Sequence, residues 1–207
     1  MPFVKKQKAE VVDKDERKQG RDCAGLILQL ADSNPTARRW AARDLLECPD
    51  TTGVLVEHLH WERDPSVRDV ILTTLTRLGN ETAVCGLVTC LRSEDVALRN
   101  EAIEAMKHLP DEVAPIIRTL LADPVSDVRI FAVNILESLR HPQVEEWLVE
   151  VIDHDPHLNV CGSALDLLGE VGTDRSIEAL HRLKERFSDE PYIQFATDLA
   201  LKRIGKT

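Results

Sequence analysis

At 207 residues, with 43% hydrophobic and 4% aromatic residues, the chain can form one globular domain or one short solenoid packed with Leu, Val, Ile and Ala. Its net charge of −10 is uneven: residues 1–21 hold seven Lys/Arg against four Asp/Glu, a surplus of +3 that leaves −13 on the rest. So acidic a body repels phosphate backbones and argues against nucleic acid as a partner. No apolar run approaches the roughly 18 residues of a membrane span.

The chain opens with Met1-Pro2-Phe3-Val4-Lys5-Lys6 and turns wholly polar, so residues 1–21 read as a flexible basic arm. No secretory apolar core follows the lysines, which places the protein in the cytoplasm. Cys23, Cys48, Cys85, Cys90 and Cys161 are odd in number and form no C-x-x-C pair. They read as reduced, mostly buried thiols.

From residue 22 a unit of about 30 residues repeats six times to residue 207, each with two predicted helices. The first helices fall at about 23–31, 52–60, 81–92, 112–121, 143–152 and 173–187. Pro115 then lies in the first turn of its helix, where a missing N–H costs little. The second helices align on Ala37, Val67, Leu98, Val128, Val160 and Ile193, at steps of 30 to 33 residues. Four residues on stand Ala41, Ile71, Ala102, Ala132, Ala164 and Thr197. Eight on stand Leu45, Leu75, Met106, Leu136, Leu168 and Leu201; eleven on, Cys48, Leu78, Leu109, Leu139, Val171 and Ile204. Offsets of 0, 4, 8 and 11 trace one face of an α-helix. The small residues at offset 4 let neighbouring helices approach closely. Pro35, Pro65, Pro124, Pro156 and Pro191 follow Asn, Asp or Glu, the N-cap and first-turn proline that start a helix. Gly79, Gly172 and Gly205 close second helices. The fold class is therefore all-α, a solenoid in which each unit buries its apolar face only by stacking on its neighbours.

This pattern resembles the HEAT family, and within it the short HEAT-like repeats of phycobilisome lyases. The segment from Val160 to Gly172, with Ala164, Leu168, Gly169 and Val171, fits the ending of that repeat closely. The resemblance covers about nine tenths of the chain and implies fold far more sharply than activity, because such repeats serve lyase subunits, hydroxylases and adaptors alike. It implies that an Arg after the first buried column turns inward. The His-Glu dipeptides through which a HEAT-like hydroxylase holds two irons are absent from this sequence.

Four units carry that Arg: Arg38, Arg68, Arg99 and Arg129; the last two carry Cys161 and Gln194 instead. Pairing with turn carboxylates such as Asp64, Asp95 or Asp127 makes the Arg column a structural ladder. Cys161 reads as a buried, inert thiol without a neighbouring base in sequence. His154 and His157 flank one turn, a signal too thin to nominate a metal site, and no nucleophile, phosphate loop or dinucleotide fingerprint occurs. Neither catalytic residues, nor a metal, nor a cofactor is expected. The outward and edge positions of the second helices supply the candidate partner-binding residues: Trp40, Arg43, Asp69, Val70, Thr73, Asn100, Glu101, Glu104, Phe131 and Asn134. Trp40, Val70 and Phe131 share offset 3, and beside acidic groups they suit a basic, partly apolar helix or peptide of another protein; turned inward, the same side chains thicken the core between repeats. The expected function is a bacterial cytoplasmic protein–protein scaffold or adaptor in a regulatory or signalling assembly. A bilin lyase-like subunit or tetrapyrrole-handling chaperone is the alternative that the resemblance implies.

Overall fold

The computed structural model describes residues 22–139 and 141–205. The basic arm expected at residues 1–21 lies outside the described residues. Twelve α-helices follow one another among them, without a strand. The first helices of the repeats are α1 (Cys23–Gln29), α3 (Thr52–Trp61), α5 (Glu81–Cys90), α7 (Pro110–Leu121), α9 (Val144–His154) and α11 (Ile177–Arg186). The second are α2 (Pro35–Asp44), α4 (Pro65–Leu78), α6 (Val96–Lys107), α8 (Ser126–Leu136), α10 (Leu158–Val171) and α12 (Pro191–Ile204). Each second helix packs on its own first helix and on the second helix of the neighbouring repeats, giving a stack of helix pairs in which contacts run from one repeat to the next.

The buried columns explain the stacking. Every residue at offsets 0 and 4, from Ala37 and Ala41 to Ile193 and Thr197, is buried. At offset 8 the column is buried from Leu45 to Leu168, with Leu201 half-buried; at offset 11 Leu78 is half-buried and Val171 is exposed. Fully burying one such Leu contributes roughly 1.5–3 kcal/mol, so the face at offsets 0, 4 and 8 carries most of the apolar burial of each second helix. One continuous core runs from Leu26 to Ile204.

Local chemistry sets the helix ends. Asn34, Asp64, Asn80 and Asp95 cap their helices by accepting backbone N–H bonds, and Pro35, Pro65 and Pro191 occupy the first turn. Two prolines depart from that expectation. Helix α8 begins at Ser126 and α10 at Leu158, so Pro124 and Pro156 lie in the turn before the helix. Asp123 and Asp155 still accept the N–H of Val125 and His157 two residues on, as Asn34 and Asp64 do for Thr36 and Ser66. Helix α7 starts at Pro110, earlier than predicted, because Pro110 itself serves as its first residue. Pro115 consequently sits in the second turn and removes one helical hydrogen bond. Of the three closing glycines, only Gly79 adopts the left-handed conformation, with φ 55°.

The cysteines require a second correction. Cys23 at the start of α1 and Cys48 after the short 3₁₀ turn that extends α2 form a disulfide, with Cα atoms 5.7 Å apart. The turn at Leu45–Glu47 folds the end of α2 back over α1, which brings together two residues that sequence spacing does not pair. Cys85, Cys90 and Cys161 are free, and Cys85 is exposed.

Candidate functional site

The second helices place five of the ten predicted positions together. A groove of about 600 Å³ runs between α4 and α6, walled by Asp69, Thr73, Asn100, Glu101 and Glu104, with Leu72 and Ala105 as its apolar floor and Arg77 and His108 at its end. These residues meet because α4 and α6 stack side by side on their buried columns, which leaves offsets 2 and 6 facing outward and offset 3 at the edge. Burial pushes the Glu101 carboxyl upward, Arg68 pulls it down, and Asp95 and Asp69 add to the rise, so it stands above its ordinary value. Glu101 Oε2 faces Arg68 Nε at 3.3 Å, an ion pair whose angle forms no hydrogen bond. Lys107 bridges Glu104 and Glu137 at 3.1 and 3.2 Å. Burial weakens that ammonium, but the two carboxylates outweigh it and hold its pKa above the ordinary lysine value.

The other five predicted positions do not join this groove. Val70 and Phe131 are half-buried and pack against the core. The Arg99 guanidinium lies 6.0 Å from the Phe131 ring. On α2, Arg43 stacks 4.2 Å over Trp40 and bonds Asp44. Asn134 lines a separate, smaller cleft between α8 and α10 with Glu137, Asp166 and Glu170.

The Arg column points elsewhere, into the turns that join the first and second helices of the repeats. Arg38 grips Glu62 with two bonds of 2.7 and 2.9 Å and donates backward to the Asp32 carbonyl at 2.9 Å. Arg129 repeats the arrangement: two bonds of 2.6 and 3.0 Å to Asp155, and one of 2.8 Å to the Asp123 carbonyl. Arg68 reaches Asp95 at 2.7 Å, and Arg99 reaches the Ser93 carbonyl at 2.5 Å. The carboxylate partner thus belongs to the following repeat, and neither Asp64 nor Asp127 takes the role suggested for it. Burial alone would raise the Glu62 carboxyl. Hydrogen bonds from Arg38, the Asp64 N–H and His58 override burial and hold it at about 2.

At Cys161 the pattern changes hands. Its buried thiol donates to the Asp155 carbonyl at 3.3 Å, the same place in the turn that the Arg side chains address. Arg186, from the end of α11, enters from the next repeat and donates to Cys161 Sγ at 3.1 Å and to the carbonyls of Asp153 and Asp155. Burial pushes the Cys161 thiol up despite the Arg186 charge, the opposite of what a nucleophilic cysteine requires. Sequence reasoning missed Glu62, Asp155 and Arg186. A signal for the first two was present: six residues before the Arg column stand Asp32, Glu62, Ser93, Asp123, Asp155 and Ser188, all side chains able to cap a turn.

A second cleft, of about 530 Å³, lies between α7 and α9, lined by Arg118, Arg129, Trp147, Glu150 and His154. The buried Trp147 stacks on His141 at 4.8 Å, and its indole Nε1 lacks an acceptor. Among the described residues, no group of three His, Cys, Asp or Glu side chains is placed to hold a metal ion, and no helix is long and apolar enough to cross a membrane.

Comparison with known proteins follows these features. The family described as HEAT repeats matches residues 23–107, 52–130 and 113–202. Over 147 residues, 69% of this chain, the sequence is 29% identical to the bilin biosynthesis protein PecE of Mastigocladus laminosus. The match spans 54% of PecE, about half the length of that relative. Similar solved structures include an engineered protein (22% identity, 90% of this chain and 99% of that one, TM-score 0.44). The complex of CpcE and CpcF of phycocyanin lyase from Nostoc sp. matches at 20% identity over 98% of this chain and all of that one, with a TM-score of 0.38. A designed armadillo repeat protein matches at 16% identity over 88% of this chain and 100% of that one, with a TM-score of 0.42.

Proposed function

Because the chain belongs to the HEAT-repeat family, we propose that it is a protein-binding scaffold whose groove between α4 and α6 holds a basic, partly apolar helix or peptide of another protein. The groove itself carries this reading. Asp69, Glu101 and Glu104 wall an apolar floor at Leu72 and Ala105. Lysine or arginine on the partner would meet the carboxylates while an apolar side chain fills the floor. Affinity capture with the full chain, compared with Asp69→Lys and Glu104→Lys, tests it. Loss of the same partner from both variants is expected; retention by both overturns the assignment of the groove. Nucleic acid stays excluded in this reading by the acidic body, and salt-sensitive DNA binding at about 50 mM salt would reverse that exclusion.

A second reading, a bilin-handling subunit, is favoured by the likeness to PecE. An open-chain tetrapyrrole carries carboxylate side chains, which the acidic α4–α6 groove repels. The cleft between α7 and α9 suits such a ligand better, since Arg118 and Arg129 stand among its carboxylates Asp123, Glu150 and Asp155 and Trp147 and His154 add ring surface. A change in visible absorption when bilin is mixed with the full chain, lost in Trp147→Leu, supports this reading. An unchanged spectrum ends it.

A further inference from the structure

The α4–α6 groove is ordered along its length. Both helices start at the same end, where Arg68 of α4 reaches Asp95 and Glu101 beside α6. From that end the lining runs through Asp69 and Glu101, then Glu104 with Leu72 and Ala105, to Arg77 and His108. Asp69 and Arg77 are eight helical residues apart, about 12 Å. The chain itself carries the complementary order between residues 5 and 16. Lys5, Lys6 and Lys8 come first, then Val11 and Val12, then Asp13, Asp15 and Glu16, with Glu10 and Lys14 as the two exceptions. The root of that segment stands at the matching end of the groove. The Cys23–Cys48 disulfide holds the start of α1 against the end of α2, and the cleft beside it, of about 430 Å³, shares Arg77 with the groove.

We propose that the groove is occupied by the chain's own segment from Lys5 to Glu16, which a partner must displace. This rests on the reading of the groove as a site for a basic, partly apolar peptide and adds its regulation. Running outward from Cys23, the segment meets Arg77 with its carboxylates, Leu72 and Ala105 with its valines, and Asp69, Glu101 and Glu104 with its lysines. Its reach is ample. Fifteen residues from Cys23 to Lys8 span up to about 50 Å, whereas neighbouring second helices lie about 8–10 Å apart. The other clefts suit this segment less well. Arg118 and Arg129 line the one between α7 and α9, and Arg182 and Arg186 the one at α9 and α11, where they repel lysine. The acidic cleft between α8 and α10, at about 190 Å³, has about a third of the volume and lies two repeats farther from Cys23.

Tethering sets the expected size of the effect. A short tether holds its segment at an effective concentration of about 1 mM, so an intrinsic Kd of about 100 µM weakens any competitor about tenfold. The probe is a fluorescein-labelled peptide of residues 2–18, titrated with the full chain and read by anisotropy. The full-length triple variant Lys5→Glu/Lys6→Glu/Lys8→Glu should bind it about tenfold more tightly than the parent does. Adding Asp69→Lys/Glu104→Lys to that variant should abolish the gain. In the parent, a carbodiimide should join the amine of Lys5, Lys6 or Lys8 to the carboxylate of Asp69, Glu101 or Glu104 within one chain, the reagent taking up the water that each new amide releases. Equal affinity of parent and triple variant overturns the proposal and leaves the groove reading standing. Absence of binding by the triple variant overturns it too, and capture with Asp69→Lys and Glu104→Lys then decides the groove reading by itself. A gain that survives the groove substitutions, or cross-links to Asp166 or Glu170 in place of the groove, would place the segment elsewhere and sink the proposal.

Discussion

The inner turns of repeats 1 and 4 and those of repeats 5 and 6 solve one problem by opposite routes. In the first group an Arg of the second helix reaches forward: Arg38 to Glu62 and Arg129 to Asp155, each with two charge-assisted bonds, while a third N–H holds a carbonyl of its own turn. In the second group the forward reach is missing. Cys161 keeps only the bond to its own turn, and Arg186 reaches backward from the later repeat to complete it. Gln194 likewise keeps a local role, donating to the carbonyls of Lys184 and Phe187. What the fold demands is a donor-rich group in the turn, not an Arg at a fixed place. Charge links the last two repeats as well, through Arg182 of α11 and Asp153 of α9 at 2.7 Å, but from the first helix rather than from the Arg column.

The most severe way to break this difference is to remove a forward partner. Glu62→Ala leaves Arg38 without its carboxylate and frees the N–H groups of Arg63 and Asp64 that Glu62 accepts. The expected loss is about 3 kcal/mol in urea unfolding, the cost of breaking a buried pair. Acid titration sharpens the same point. The Glu62 carboxyl is held at about 2 in the folded chain, below its unfolded value of about 4.5. Its contribution is thus fully present above about pH 4.5 and is lost as pH falls toward 2. Glu62→Gln should differ from the parent near pH 7 and converge with it near pH 2. Equal differences at both pH values would show that geometry, not charge, carries the turn.

A smaller effect tests whether the two routes are interchangeable. Cys161→Arg puts a third guanidinium where Arg186 and Arg129 already crowd Asp155, and should cost about 2 kcal/mol. Adding Arg186→Met to that variant removes the competitor and lets the new side chain use the freed carbonyls. The double variant should recover about 1 kcal/mol, read as a coupling energy in a double-mutant cycle. Additive losses would mean that Arg186 does not stand in for the missing column residue.

How much of this could be read from the sequence follows from the range of each interaction. The buried columns are local, repeating every 30 to 33 residues along helices of known period, so they were legible down to single positions such as Ala41 and Leu75. The inward Arg was legible as a column, but its partner was not. Arg38 and Glu62 are 24 residues apart and Arg129 and Asp155 are 26 apart, and only the stacking of successive turns brings them together. Asp64 and Asp127 seemed the natural partners because they are near in sequence; the helix carries the Arg side chain past them. The Cys23–Cys48 bond was hidden for the same reason, its geometry depending on a 3₁₀ turn at Leu45–Glu47 that no periodicity announces. At the candidate groove, the outward positions of α4 and α6 were read from helical period alone. The half-burial of Val70 and Phe131 matches the inward reading of that row, but period alone could not choose it over the outward one, since the choice depends on how far adjacent helices lean apart.

The smallest expected effect lies on the outer face, where ion pairs also cross from one repeat to the next. Arg118 of α7 reaches Glu146 and Glu150 of α9, each at 3.3 Å, with all three side chains about half exposed. Water competes for every charge in that triad and salt screens the rest, so the distance spanned in sequence counts for little. Arg118→Gln should therefore change stability by less than about 0.5 kcal/mol, and raising the salt should leave the parent and variant unfolding curves closer together. A loss comparable to that of Glu62→Ala would mean that coupling between repeats depends on crossing the boundary at all. The expected contrast places it instead in the desolvated turn, where Glu62 is buried and Arg38 nearly so.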